Sequence, residues 1–127
     1  AVLYITSVNG VTNCIIARDC KNKAISDDQI DCQANNACTG STLTASDTID
    51  CSSDYACFKA ISLTATNDIN CLKTASCEKA DIESKNGDVY CPGRSACRVA
   101  TINAQNIDCS SSANSYTCSK ANLNAVK

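Results

Sequence analysis

The chain has 127 residues with 12 Cys, no His, Met or Trp, a single Phe and a formal net charge of −2. Large apolar side chains are too scarce for a conventional globular core, and cysteine at this density marks a disulfide scaffold of an oxidising compartment. No basic run points to nucleic acid as a partner, and no apolar stretch approaches the roughly 20 residues of a membrane span.

The cysteines fall into six pairs: Cys14/Cys20, Cys32/Cys38, Cys51/Cys57, Cys71/Cys77, Cys91/Cys97 and Cys109/Cys118. Zinc sites favour Cys-x2-4-Cys spacing and often include His. Here every pair but the last is Cys-x5-Cys and His is absent, so no metal and no other cofactor is expected. First Cys to first Cys, the steps are 18, 19, 20, 20 and 18 residues, which defines an internal repeat.

In chain order, the first copy is preceded by Val2, Leu3, Tyr4 and Ile5, the most apolar short run in the sequence. Ile5 to Gly10 aligns with Ile82 to Gly87, nine residues before Cys14 and Cys91 respectively. This alignment predicts that the N-terminal segment is the second strand of a coil, not a cap. Each later copy then opens with a β-branched residue two positions before its first Cys: Ile30, Ile49, Ile69, Val89 or Ile107. Each copy closes on Ile or Leu five residues after its second Cys, six for Leu63, and then a small residue two further on. Ala45, Ala65, Ser84, Ala104 and Ala125 hold that last position, and the first copy has Asp27 instead.

Period-two alternation of this kind predicts two short strands per copy, Ile-x-Cys and small-x-Leu-x-small, each with one face buried. Inward parity breaks after the second Cys, so a bend is expected there. Polar turn residues such as Ser46-Asp47 and Lys85-Asn86-Gly87-Asp88 separate the copies and absorb most of the length variation.

A unit of 18 to 20 residues is too short for a helical crossover and suits one coil of a parallel β-solenoid. The expected fold is therefore all-β: a single domain over residues 1–127, a β-helix of about six coils with one disulfide each. Variable coil length points to a right-handed one. Five intervening residues can turn back to bring two Cys within bridging range, so pairing within a coil is expected; bridging adjacent coils is the alternative. Each seven-residue loop so closed stabilises the fold by ~2.4 kcal/mol in the chain-entropy description.

The architecture resembles disulfide-stapled β-solenoid proteins, including insect antifreeze proteins, and more loosely cysteine-rich surface repeat proteins. The antifreeze resemblance implies ice binding by a flat face carrying Thr-x-Thr rows. Thr42-Leu43-Thr44 has that motif, Ser62-Leu63-Thr64 is close, and Thr101 lies in the same strand position, but Asp81 and Glu83 interrupt the row. Ice or a glycan is thus an alternative partner, the latter in a surface adhesin.

A broken acidic row, Asp31, Asp50, Asn70, Tyr90 and Asp108, precedes the first cysteines and would be the place for Ca²⁺. No positioned nucleophile, base or phosphate loop stands out, so no enzyme is expected. Ala1 reads as a mature N-terminus, which with the cysteines implies secretion.

Neither end carries a helix or a charge cluster. The leading expectation is a structural subunit of an extracellular filament. In it, the closing strand with Ala121, Leu123 and Ala125 stacks on Val2, Leu3, Tyr4 and Ile5 of the next copy, a heterologous contact that builds an open homopolymer.

Overall fold

The alternation described above folds into strands of three or four residues. A computed structural model describes residues 5–110 and 116–126. Among them are β1 (Ile5–Val8), β2 (Val11–Cys14), β3 (Ala24–Asp27), β4 (Gln29–Cys32), β5 (Thr42–Ala45), β6 (Ile49–Cys51) and β7 (Ser62–Ala65). They are followed by β8 (Ile69–Cys71), β9 (Asp81–Ser84), β10 (Asp88–Tyr90), β11 (Thr101–Ala104), β12 (Asn106–Asp108) and β13 (Asn122–Ala125).

The strands form two sheets. Sheet A has the order β1-β2-β4-β6-β8-β10-β12, and sheet B the order β13-β11-β9-β7-β5-β3. Apart from β1, each strand pairs in parallel with its copy one coil away, residue for residue: Ile30 with Ile49, Ile49 with Ile69, Leu43 with Leu63, Leu63 with Ile82. The chain is a parallel β-solenoid of about six coils. A one-residue slip would turn every inward side chain outward, so the buried Ile and Leu rows fix this register.

The third side of each coil is the Cys-to-Cys segment, built from consecutive β-turns. Its amides alternate between two kinds of acceptor. In the third coil, the N–H groups of Ala56, Phe58 and Ala60 bond to Ser53, Tyr55 and Cys57 within the turn. Those of Tyr55, Cys57 and Lys59 bond to Thr74, Ser76 and Glu78 of the next coil. Backbone polar groups are thus satisfied although no strand is present.

Among the described residues, two in each of the first five coils and one in the last adopt left-handed backbone along this path. One lies four residues after the first Cys (Arg18, Asn36, Tyr55, Ala75, Ser95), the other two after the second (Asn22, Gly40, Lys59, Lys79, Val99, Lys120). The second set is the bend that the parity break calls for.

Six disulfides, Cys14–Cys20, Cys32–Cys38, Cys51–Cys57, Cys71–Cys77, Cys91–Cys97 and Cys109–Cys118, each join the two cysteines of one coil, with Cα atoms 5.7–6.0 Å apart. They are stacked closely enough that sulfurs of Cys32, Cys38 and Cys57 lie within 4.8 Å of one another. The interior is this sulfur column together with Ile30, Ile49, Ile69 and Val89 of sheet A, Leu43, Leu63, Ile82 and Ile102 of sheet B, and small residues at the corners. Burying one such Ile or Leu contributes about 1.5–3 kcal/mol, and the cysteines fill the volume that large side chains would otherwise occupy.

The N-terminal segment departs from the expectation. Instead of extending sheet B, β1 folds back antiparallel on β2, pairing Ile5 with Cys14 and Val8 with Val11, and so covers the first edge of sheet A. The cause is Asn9-Gly10. Both residues have positive φ, 52° and 79°, as the two-residue type I′ hairpin loop requires. A Cβ on Gly10 would lie 2.5 Å from Asp28 Oδ2, which also reserves the position for glycine. At Asn86-Gly87 the same dipeptide sits in a longer turn, neither residue has positive φ, and no reversal follows.

The extra residue before Leu63 forms a bulge. The amides of Ile61 and Ser62 both point at the Ser41 carbonyl, and Ile61 is pushed out of the wall, 68 % exposed.

Candidate functional site

Three surfaces carry the residues singled out from the sequence. The first is the outer face of sheet B. Pairing places Ser26 beside Thr44, Thr44 beside Thr64, Thr64 beside Glu83 and Glu83 beside Asn103, while Thr42 lies beside Ser62. Thr42, Thr44, Ser62 and Thr64 therefore come together. Thr101 does not join them, because its neighbours in the sheet are Asp81 and Asn122.

A shallow groove of about 440 Å³ runs along this face, lined by Ser26, Thr44, Thr64 and Thr66 with Asp28 and Lys85 among its charged residues. The hydroxyls of Ser62 and Thr64 lie 3.2 Å apart and bond to each other. The face is polar and hydrogen-bonding, but two coils of hydroxyls give way to two exposed carboxylates at Asp81 and Glu83.

The second surface is the outer face of sheet A. Asn13, Asp31, Asp50 and Asn70 form one ladder, continued by Tyr90 and Asp108. Asn70 Nδ2 donates to Asp50 Oδ1 at 2.6 Å, and Gln29 Nε2 to Asp31 Oδ1 at 3.1 Å. Partial burial, and then the hydrogen bond and charge of the adjacent Asp31, push the Asp50 carboxyl above its ordinary pKa against the opposing effect of Asn70. The Asp108 carboxyl is held below its usual range by hydrogen bonds from the Ser110 side chain and backbone. Tyr90 donates to Asp88 Oδ2 at 3.2 Å, which pushes its phenol up. Among the described residues, the groups of three close metal-ligating side chains are all cysteines held in disulfides; no three carboxylates converge.

The third surface is the pair of ends. Leu123 of β13 occupies the row of Ile102, Ile82 and Leu63, yet it is 45 % exposed where those are fully buried. Ala125 is exposed beside it, Ala121 is half-buried, and Val126 is 76 % exposed. At the other end β3 is the edge of sheet B, and its Ile25 is half-buried. Of the proposed N-terminal stacking residues, Ile5 lies in β1 on sheet A, away from the sheet B edge; Val2, Leu3 and Tyr4 lie outside the described residues.

Two features escaped the sequence reading. The first coil sets a second inward polar side chain, Thr12, where later coils have Ile or Val, beside Asp27, already noted as the exception in the small-residue row. The signal was present, since Thr12 stands two residues before Cys14. The other is the placement of the cations, which only the folded coil reveals.

Together, fold and disulfide ladder define a disulfide-stapled β-solenoid repeat protein. Comparison with protein-family models, curated proteins and solved structures finds no match to the chain.

Proposed function

We propose that the protein is a secreted structural subunit that assembles end to end through sheet B. The observation that carries this reading is the state of that sheet's two edges. Both are parallel strands at the same phase of the repeat, and their central apolar residues, Ile25 and Leu123, are incompletely covered. Setting β13 of one copy against β3 of the next adds one more parallel rung, for which β1 has to give up its place beside β2, where β12 of the first copy then lies. The new rung buries Leu123 against Ile25 in the register that joins Ile25 to Leu43 within the chain. Such a contact is heterologous and repeats without closing, which yields a filament. The six disulfides and the scarcity of large apolar side chains support secretion into an oxidising compartment.

The proposal differs from the sequence expectation in the strand it uses. The N-terminal partner is β3, because β1 covers the neighbouring edge of sheet A. Sedimentation velocity over a wide concentration range tests it. Wild type forms a ladder of oligomers, and Leu123→Lys, which puts a charge into the new rung, remains a monomer. A wild type that stays monomeric at millimolar concentration overturns the proposal.

A second reading, ice or glycan binding by the sheet B hydroxyls, rests on the adjacency of Thr42, Thr44, Ser62 and Thr64. Thermal hysteresis abolished by Thr64→Tyr would favour it. The mutual Ser62–Thr64 hydrogen bond and the neighbouring carboxylates weigh against it.

A further inference from the structure

The charges are sorted by side of the coil. Of the 11 Lys and Arg residues, nine lie between a first cysteine and the following strand of sheet B, on the disulfide-turn side; only three of the 13 Asp and Glu residues lie there. The other ten acids sit on sheets A and B and on the short turns joining them, with Lys85 the one cation among them in the described residues. A net charge of −2 therefore conceals one strongly basic long side and a strongly acidic remainder.

The sorting follows the coil. Backbone bonding from Lys59 to Glu78, from Lys79 to Arg98 and from Val99 to Ser119 stacks Lys59, Lys79, Val99 and Lys120 along one corner, and the three lysines are exposed. Arg98 reaches Glu78 at 3.6 Å, so one of the few acids on this side is engaged within the chain. Across the molecule, Asp31 and Asp50 are ladder neighbours on sheet A, and Asp28 and Asp47 follow one another on the turn between the sheets.

We propose that this basic side is a lateral docking surface for the acidic side of a second copy of the chain. From the third coil to the last both arrays recur in every coil, about 4.8 Å per step for parallel strands, whereas the second coil carries no Lys or Arg on this side. Two solenoids laid side by side therefore bring cations and carboxylates into matching pitch over several rungs. A second copy uses both arrays at once, whereas a polyanion would use the cations and leave the acidic ladder without a role. This contact is independent of the end-on rung, and the two differ in salt response. Exposed ion pairs are screened within about 8 Å at physiological ionic strength, while an apolar strand edge is not.

The test uses the full chain with Leu123→Lys, which removes end-on stacking, in sedimentation equilibrium between about 20 mM and 500 mM NaCl. Side-by-side dimers are expected at low salt, with association weakened by about tenfold or more at high salt. Lys59→Glu/Lys79→Glu abolishes them, and so does Asp47→Lys/Asp81→Lys. An equimolar mixture of the two restores the dimer, since each supplies the side that the other lacks. Circular dichroism confirms that both variants fold. Association indifferent to salt and to these substitutions overturns the proposal. So does a monomer at low salt that binds heparin, which would assign the basic side to a sulfated polysaccharide instead.

Discussion

Thr12 Oγ1 donates a hydrogen bond of 2.5 Å to Asp27 Oδ2, linking a strand of sheet A to a strand of sheet B at the first coil. In the coils that follow, the first position holds Ile or Val and the second Ala or Ser84, whose hydroxyl donates to the Asn67 carbonyl and not across to sheet A. The first coil thus closes its interior with a polar pair, beside the edge that β1 covers. Interior polar groups are tolerated when they find partners and are costly when a partner is removed. Thr12→Val, which keeps the shape and deletes the donor, lowers stability by about 1–3 kcal/mol. Thr12→Ile/Asp27→Ala, which installs the pair found in later coils, recovers most of that loss. Urea unfolding of both variants checks the pairing; a neutral Thr12→Val contradicts it.

Val99 is the one β-branched residue at the recurring left-handed corner, with φ of 59°, where the second coil has Gly40. The left-handed region costs an L-residue about 1–2 kcal/mol and a β-branched one is the least suited to it. Val99 is 41 % exposed, so little packing is lost on replacement. Val99→Asn is expected to raise stability by about 1 kcal/mol. Gly40→Val is expected to destabilise, since its Cβ would also collide with Asn22 Oδ1. Thermal unfolding of the two variants reads the opposite signs.

The repeat and the inward rows were legible in the sequence because a period-two pattern copied every 18 to 20 residues leaves few alternative folds. The within-coil disulfides were legible for the same reason: five intervening residues turn back on themselves. What misled was Ile5 to Gly10. Its side chains match those of Ile82 to Gly87, but the path of the chain there is set by Asn9-Gly10, a backbone preference that side-chain alignment does not weigh. The charge sorting was hidden because residues far apart in sequence share a side only once the coils are stacked.

Leu63 and the Cys71–Cys77 bridge are both fully buried in the central coils. Leu63→Ala leaves a cavity that the strands on either side, fixed in register, cannot close, and costs about 2–5 kcal/mol. Cys71→Ala/Cys77→Ala releases a loop worth ~2.4 kcal/mol in chain entropy and also removes sulfur packing, so the measured loss should exceed that figure. Guanidinium unfolding under non-reducing conditions tests both.

The raised pKa of Asp50 has a definite sign for stability. Its ordinary value is 3.8, and burial followed by the proximity of Asp31 raises it in the folded chain. The folded state then holds the proton more tightly than the unfolded state, so this group favours folding at low pH. That contribution is lost as pH rises from about the ordinary value through the folded one. Asp50→Asn removes this dependence and the repulsion from Asp31. The variant is expected to be more stable than wild type above that window, with the difference shrinking as pH falls below it. Unfolding free energies measured from pH 3 to pH 7 would show a constant difference if neither burial nor Asp31 raised the Asp50 carboxyl in the folded chain.

End-to-end joining of copies through the two edges of sheet B is the central proposal. Negative-stain electron microscopy of concentrated wild-type protein, beside Leu123→Lys, tests it most directly. Wild type is expected to form rods whose lengths are whole multiples of one solenoid, and the variant a population of single solenoids. Wild-type particles of one solenoid length at every concentration would contradict it.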